Sequence, residues 1–161
     1  MIKLKTFGSF TVGNGLTSVQ EGAWRSEKLE KLFVYLAMNR NRGVCIEDIS
    51  EAIWQVEEET DNPVGALKNL AYRLRKALRD ASFGEECIVS VRGGLYKWND
   101  DVEVTIDVEE FDRYINEAEM AFCRSKETAI ESYEKAIALY HGDFLPLRTD
   151  THWFMTLNAF Y

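Results

Sequence analysis

The sequence predicts an α+β fold in which a small antiparallel sheet, three helices and a β-hairpin precede an all-α helical hairpin. The first residues alternate in polarity, residues 26 to 81 carry apolar side chains at helical spacing, and two β-prone runs flank Gly93-Gly94. The chain is 46% hydrophobic and 12% aromatic, which is enough apolar surface to offset the entropy lost on folding. A packed core is therefore expected.

Residues 2 to 19 have the pattern of short strands. Ile2 with Leu4, and Phe10 with Val12, alternate with polar positions. Gly13-Asn14-Gly15 supplies a turn. These features predict the small antiparallel sheet at the N-terminus.

Two helices are predicted after the sheet. Ser26 is placed to cap the first, which carries apolar residues at helical spacing and ends at residues 39 to 43: Leu29, Leu32, Phe33 and Leu36. The second runs from about Ile46 to Trp54, and its apolar side chains are expected to be buried.

The third helix and the hairpin complete this part. Asp61-Asn62-Pro63 provides a cap and an early proline for a helix that runs to about Ala81. Ile88 to Val91 and Leu95 to Trp98 then form a hairpin around Gly93-Gly94. A sheet, three helices and a hairpin in this order are the plan of a winged helix-turn-helix.

A polar break at Asn99-Asp100-Asp101 predicts a boundary, with a winged-helix domain in 1–100 and a second part in 101–161. Val102 to Ile106 has the pattern of one more strand. Asp107 with Glu110 resembles a capping box for a fourth helix.

The second part is predicted to be a TPR-like helical hairpin. Ser125 caps its second helix and Gly142 ends it. A third helix begins near Trp153, so the chain is expected to stop inside a helical repeat. An apolar face is then left for a partner, with a homodimer as the hypothesis: Phe111, Tyr133, Tyr140, Trp153 and Phe160.

Charge is distributed unevenly along the chain. The net charge is -8, yet residues 1 to 100 hold 14 basic and 14 acidic residues, whereas 101 to 161 hold 5 and 13. The acidity therefore lies in the second part. Such asymmetry is expected of a chain whose two parts have different partners.

The third helix carries the clearest functional signal. Leu67, Leu70, Ala71, Leu74 and Leu78 form one apolar stripe. Basic, amide and phenol side chains lie on the other faces, with no carboxylate between Asp61 and Asp80: Lys68, Asn69, Tyr72, Arg73, Arg75, Lys76 and Arg79. Cations for phosphates and hydrogen-bonding groups for base edges match a DNA major groove. The alternative is a solvated helix face.

The sequence resembles a known family at these motifs. Tyr72 to Leu78 (YRLRKAL), Ile88 to Trp98 (IVSVRGGLYKW) and Ile49 to Trp54 look like the OmpR/PhoB-type winged helix. Phe111 and Ala136 to Pro146 (AIALYHGDFLP) look like the bacterial transcriptional activator domain. Together they resemble the antibiotic-regulatory-protein (SARP) type of regulator. The resemblance implies an activator that binds promoter repeats in double-stranded DNA and recruits RNA polymerase.

The resemblance also implies roles for individual residues. Lys68, Asn69, Tyr72 and Arg73 would approach base edges, Arg75 and Lys76 would hold phosphates, and Arg79 would extend the positive face. Arg92 beside the hairpin tip would enter the minor groove, while Trp24 and Arg25 are weaker phosphate candidates. Tyr96 and Trp54 are interpreted as core residues.

Two positions depart from the family. Leu95 stands where glycine is usual, so the tip of the hairpin is expected to differ in shape. Tyr72 replaces a common basic residue, so base preference cannot be transferred.

The loop between the second and third helices is the candidate contact with RNA polymerase. Its residues are Gln55, Glu57, Glu58 and Glu59, and the acidic run is suited to a basic polymerase surface. A plain solvated loop is the alternative.

The residues do not predict an enzyme, a cofactor or a metal site. His141 and His152 lack an organised carboxylate or thiol partner. Cys45, Cys87 and Cys123 lie roughly forty residues apart, without a CxxC pair.

No apolar stretch approaches the roughly 20 residues that cross a bilayer, so a cytoplasmic protein without a membrane partner is expected. The remaining rival function is a helical-repeat interaction module that does not bind DNA. The two are distinguished by whether acidic side chains from 101 to 161 cover the basic face of the third helix.

Overall fold

The computed structural model describes residues 1–55, 62–83, 87–91 and 94–161. The strands are β1 Ile2–Lys5, β2 Thr11–Gly13, β3 Ser18–Gln20, β4 Ile88–Val91, β5 Leu95–Trp98 and β6 Val104–Ile106. The helices are α1 Glu27–Met38, α2 Ile46–Ile53, α3 Pro63–Asp80, α4 Asp107–Phe122, α5 Lys126–Leu139 and α6 His152–Phe160. The predicted α+β fold, a winged helix followed by a helical hairpin, is confirmed.

The N-terminal sheet has four strands in the order β3-β2-β1-β6. β1, β2 and β3 are antiparallel neighbours, as predicted. β6 joins β1 in parallel, with Ile2 opposite Val104 and Leu4 opposite Ile106. The sheet is therefore completed by a strand that follows residue 100, while the division into domains at that position stays a prediction.

The core of the winged helix lies between this sheet and the first three helices. Leu4, Val12 and Phe33 are fully or almost fully buried there. Trp98 on β5 packs edge-on against Phe33, with ring centroids 5.4 Å apart, and its indole nitrogen donates to the Val102 carbonyl at 2.7 Å. The hairpin β4-β5 is thereby joined to the helices.

Of the residues predicted to cap helices, some make the expected hydrogen bond and one does not. Asn62 caps α3, its side-chain oxygen accepting from the Gly65 N–H at 2.8 Å, and Pro63 begins the helix as predicted. Ser125 caps α5 through the Thr128 N–H. Ser26 occupies the N-cap position of α1, but its side chain makes no capping hydrogen bond.

The predicted capping box at Asp107 is wrong. Ile106 is the N-cap residue of α4, and Asp107 is the first helical residue. Its buried carboxylate accepts from the Thr6 N–H at 2.9 and 2.7 Å, the Thr6 hydroxyl at 2.6 Å and the Phe7 N–H at 2.9 Å. The reason is the parallel pairing of β6 with β1, which brings the start of α4 beside the end of β1.

The helical part is packed on the winged helix, so most of the face expected to await a partner is already in use. Phe111 and Tyr140 surround Phe7, with ring centroids 5.4 and 5.1 Å away. Trp153 packs edge-on against Tyr35. Of the predicted face, Phe160 is 74% exposed and Tyr140 41%. The expectation was wrong for Phe111, Tyr140 and Trp153, because the loop after β1 and the helix α1 supply their partners, while the homodimer stays a prediction.

Charged side chains also join the two parts. Arg148 pairs with the buried Glu30, and Lys31, only 2% exposed, pairs with Asp150. Arg40 holds Glu109 through two bonds of 2.6 and 2.7 Å, which raise the pKa of the Arg40 guanidinium. These contacts all reach α1 or the turn that follows it.

Over the described ranges of the chain, none of the helices is both long and apolar enough to span a bilayer.

Candidate nucleic-acid interface

Helix α3 packs on α1 and α2 through the predicted apolar stripe. Leu67, Leu70, Ala71, Leu74 and Leu78 are all buried, with exposures of 5% or less. Burial of this stripe fixes the rotation of the helix about its axis. The opposite side is therefore directed away from the core.

Five predicted site residues are exposed on that opposite side. They form two rows at four-residue spacing, which places their side chains as neighbours along the helix: Lys68, Tyr72 and Lys76 in one row, and Asn69 and Arg73 in the other. Tyr72 is 64% exposed. Within residues 1–55, 62–83, 87–91 and 94–161, none of the five side chains makes a hydrogen bond or an ion pair. Their polar groups are free to meet a ligand.

Arg75 differs from these neighbours because it is half-buried and engaged with the hairpin. Its Nε donates to the Ile88 carbonyl at 3.1 Å, and its Nη2 donates to the Ser90 hydroxyl at 3.0 Å. The side chain therefore links α3 to β4. The phosphate contact implied for Arg75 stays a prediction.

The C-terminal end of α3 is held by the turn between β2 and β3. The Asn14 amide donates to the Ser82 carbonyl at 3.1 Å, and the Thr17 hydroxyl donates to the Ala81 carbonyl at 2.9 Å. These bonds satisfy carbonyls that a helix end leaves without partners. From the sequence, Asn14 is expected only in a turn, and this contact with α3 has no local signal. Arg79, in the last turn of α3, is exposed.

The hairpin lies beside α3, and part of its tip lies outside the described residues, including Arg92. Leu95, where the family usually has glycine, is half-buried against Gly43. A Cβ atom added to Gly43 would lie 3.1 Å from Leu95 Cδ1. The missing side chain of Gly43 therefore makes room for Leu95. Tyr96 is buried, in accordance with its interpretation as a core residue.

The two weaker phosphate candidates are placed differently. Trp24 packs against Phe10 and Phe33, with ring centroids 5.4 and 5.5 Å away. Its indole nitrogen is buried and has no hydrogen-bond partner among the described residues. A phosphate contact would require this nitrogen to become exposed, and the phosphate role of Trp24 stays a prediction. Arg25, just before α1, is exposed.

The candidate polymerase loop is described only at its beginning. Gln55 is exposed and donates to the Asp150 carboxylate at 2.9 Å, whereas Glu57, Glu58 and Glu59 lie outside the described residues. Burial alone would raise the pKa of Asp150, but hydrogen bonds from Lys31 and Gln55 outweigh it and hold that pKa below its usual value.

The acidic second part does not neutralise Lys68, Arg73 and Lys76 of α3 within the described residues. Its carboxylates Asp150 and Glu109 are paired with Lys31 and Arg40, on or just after α1. Lys68, Arg73 and Lys76 form no ion pair with any residue in the described part of the chain. Coverage by acidic side chains, which would favour a non-DNA interaction module, is therefore absent at these three residues.

Part of the chain matches a known protein family. Residues 21–98 match the family model described as "Transcriptional regulatory protein, C terminal". No curated protein matches the chain. The fold is similar to that of Mycobacterium tuberculosis EmbR, solved in complex with a low-affinity phosphopeptide, at a TM-score of 0.79 and 19% identity.

That match covers 98% of this chain and 41% of the EmbR chain, so the present chain spans less than half of that protein's length. At this identity the likeness shows the fold. The family match supports the predicted winged helix of a transcriptional regulator over residues 21–98, and the match in fold agrees with the predicted architecture, while the SARP type stays a prediction.

Proposed function

Since residues 21–98 match the family model of C-terminal domains of transcriptional regulatory proteins, we propose that this chain is a DNA-binding regulator that recognises a specific double-stranded sequence by inserting α3 into the major groove. One observation carries the proposal: two rows of exposed polar and basic side chains on α3 have no partner among the described residues. A major groove about 12 Å wide admits one α-helix with its side chains.

The side chains on α3 suit different parts of the duplex. Asn69 offers a donor and an acceptor to an adenine edge, and Lys68 and Arg73 offer donors to guanine. Tyr72 supplies a hydroxyl and a ring face. Lys76, a mobile point charge farther along the helix, suits a phosphate. Arg25, Arg79 and Arg92 extend the proposed phosphate and minor-groove contacts.

The finer proposal is an activator that binds promoter repeats, one winged helix per repeat, and recruits RNA polymerase through residues 55–59. The anchoring of Gln55 to Asp150 supports this assignment, because it connects the start of the loop to the helical part. The acidic residues of the loop complement a basic protein surface.

The test is a fluorescence-anisotropy titration of duplexes selected from a random pool, at two salt concentrations. The test variant is Lys68→Ala/Arg73→Ala. The matched control is Arg124→Ala/Lys126→Ala, which removes the same charge from two exposed residues at the turn between α4 and α5.

We expect saturable, salt-sensitive binding that the first pair of substitutions abolishes and the control pair preserves. Equal losses of DNA affinity in both double variants would show that only the net charge of the protein matters. If no duplex is enriched from the random pool and the protein binds no duplex at low salt, the proposal is overturned and a helical-repeat interaction module is favoured.

A further inference from the structure

A groove of about 510 Å³ lies between the winged helix and α6, apart from the exposed face of α3. Small-molecule sites commonly have volumes of about 300 to 1,000 Å³. Its floor is apolar and comes from both parts of the chain, with Ala52 from α2 and Trp153 and Leu157 from α6. The ring of Tyr35 meets Trp153 edge-on, with centroids 4.9 Å apart.

The Tyr35 hydroxyl is an unpartnered polar group in this groove. The residue is only 4% exposed and lines the groove, yet its hydroxyl makes no hydrogen bond within the part of the chain that the structure describes. The hydroxyl oxygen itself is reached by solvent in the groove, because it is not among the fully buried polar atoms that lack a partner. Burial raises the pKa of Tyr35, and Asp48 raises it further, so the phenol stays protonated. A hydrogen-bonding position is thus open toward the groove.

The rim of the groove carries more negative than positive charge. Asp48 and Glu51 lie three residues apart on α2 and both line the groove. Arg42 is 4.0 Å from Asp48, and the Arg42 guanidinium is held by the Asn39 side chain through bonds of 3.2 and 3.0 Å. Glu51 forms no ion pair with another described residue. Two carboxylates therefore face one guanidinium whose donors are already partly engaged, and the exposed imidazole of His152 lines the groove from α6.

We propose that this groove binds a small organic ammonium ion with an apolar body. The body would lie on Ala52, Trp153 and Leu157. The ammonium group would donate to the carboxylates of Asp48 and Glu51, and the Tyr35 hydroxyl would accept a further hydrogen. An aromatic wall combined with carboxylates is the chemistry that recognises such cations. Because the walls come from α2 and α6, the bound cation stabilises the contact between the two parts of the chain.

The probe is phenethylammonium, titrated into the full chain by isothermal calorimetry. Phenethyl alcohol and phenylpropanoate carry a similar body without the positive charge and serve as comparators. We expect saturable binding of the ammonium ion, about tenfold tighter than that of either comparator, the equivalent of one charge-assisted hydrogen bond. Binding should also raise the melting temperature.

Two variants and one control assign the effect to the groove. Asp48→Asn/Glu51→Gln should weaken ammonium binding about tenfold, and Tyr35→Phe, which keeps the ring, should weaken it less. The control Glu119→Gln/Glu131→Gln removes the same charge from exposed residues of α4 and α5 and should bind as wild type.

Equal affinity for phenethyl alcohol, unchanged binding in Asp48→Asn/Glu51→Gln, or no saturable binding would overturn the proposal. DNA binding does not enter this measurement, so its outcome is independent of the role proposed for α3.

Discussion

Arg75 on α3 and Ser90 on β4 are joined by a hydrogen bond of 3.0 Å from the guanidinium to the hydroxyl. A second bond, from Nε to the neighbouring Ile88 carbonyl, makes the contact a two-point clamp. The helix proposed to enter the major groove and the hairpin proposed to reach the minor groove are thus held at a fixed relative position. The planar guanidinium suits this geometry in a way that a lysine ammonium does not.

We therefore predict that Arg75→Lys weakens specific DNA binding about tenfold, nearly as much as Arg75→Ala, because both lose the clamp. The slope of log affinity against log salt should stay unchanged in both variants. A phosphate contact would give the opposite pattern: Arg75→Lys would bind as wild type, and Arg75→Ala would reduce the slope by about 0.9. Anisotropy titrations over a salt series distinguish the two.

Ser90→Ala is the matched variant for this prediction. It removes one of the two bonds while leaving every charge in place, so a smaller loss with an unchanged salt slope is expected. Full wild-type affinity in Ser90→Ala together with a changed slope in Arg75→Ala would favour the phosphate role.

Asp107→Asn should destabilise the chain by about 3 kcal/mol, because the carboxylate is buried and accepts hydrogen bonds from Thr6 and Phe7. The amide N–H groups of asparagine would then face the backbone N–H groups of Thr6 and Phe7, so that donors would meet donors. Urea unfolding followed by circular dichroism measures the change.

Glu110→Gln is the control, since a capping box would make Glu110 as important as Asp107. The structure predicts an effect of less than about 0.5 kcal/mol for this half-buried residue. Similar losses in both variants would restore the capping-box interpretation.

Asp150 makes stability depend on pH in the acid range. Its pKa is lowered in the folded chain from the ordinary value of 3.8. A depressed pKa means that the stabilisation is fully present above the unfolded value and is lost as pH falls through the folded value. Urea midpoints of wild type should therefore fall more steeply below about pH 4 than those of Asp150→Asn.

Asp101→Asn is the comparison for this measurement, because Asp101 is an exposed carboxylate with no cation paired to it in the described part of the chain. The urea midpoint of Asp101→Asn should fall with decreasing pH as steeply as that of wild type. Parallel curves for wild type and Asp150→Asn would contradict the contribution of the Lys31 and Gln55 contacts.

Much of the fold follows from signals that act over a few residues. Asn62 and Pro63 start α3 where they were expected to, and the apolar stripe of that helix alone predicts which side chains are buried. The exposed rows of Lys68 and Arg73 follow from the same periodicity. Helix geometry thus makes most of this candidate interface predictable from sequence.

What the sequence did not predict depends on contacts between distant residues. The pairing of β6 with β1 and the bonds from Thr6 to Asp107 join positions about a hundred residues apart, and no local pattern encodes them. The packing of Trp24 likewise could not be predicted, since it depends on Phe10 and Phe33. The clamp of Arg75 likewise depends on where β4 packs.

Substitutions of Arg73 and Lys76 on α3 should separate base recognition from general affinity for DNA. Arg73→Ala should relax preference at one base position and weaken the selected duplex about tenfold or more, because its fork suits a base edge. Lys76→Ala should weaken selected and random duplexes equally and reduce the salt slope by about 0.9, because an ammonium on a flexible stem contacts a phosphate. Both residues are exposed and lack partners among the described residues, so neither change should alter stability.

Titrating each variant with the selected duplex, its single-base variants and a random duplex tests the assignment. Equal losses on selected and random DNA for both variants would show that Arg73 does not contact a base.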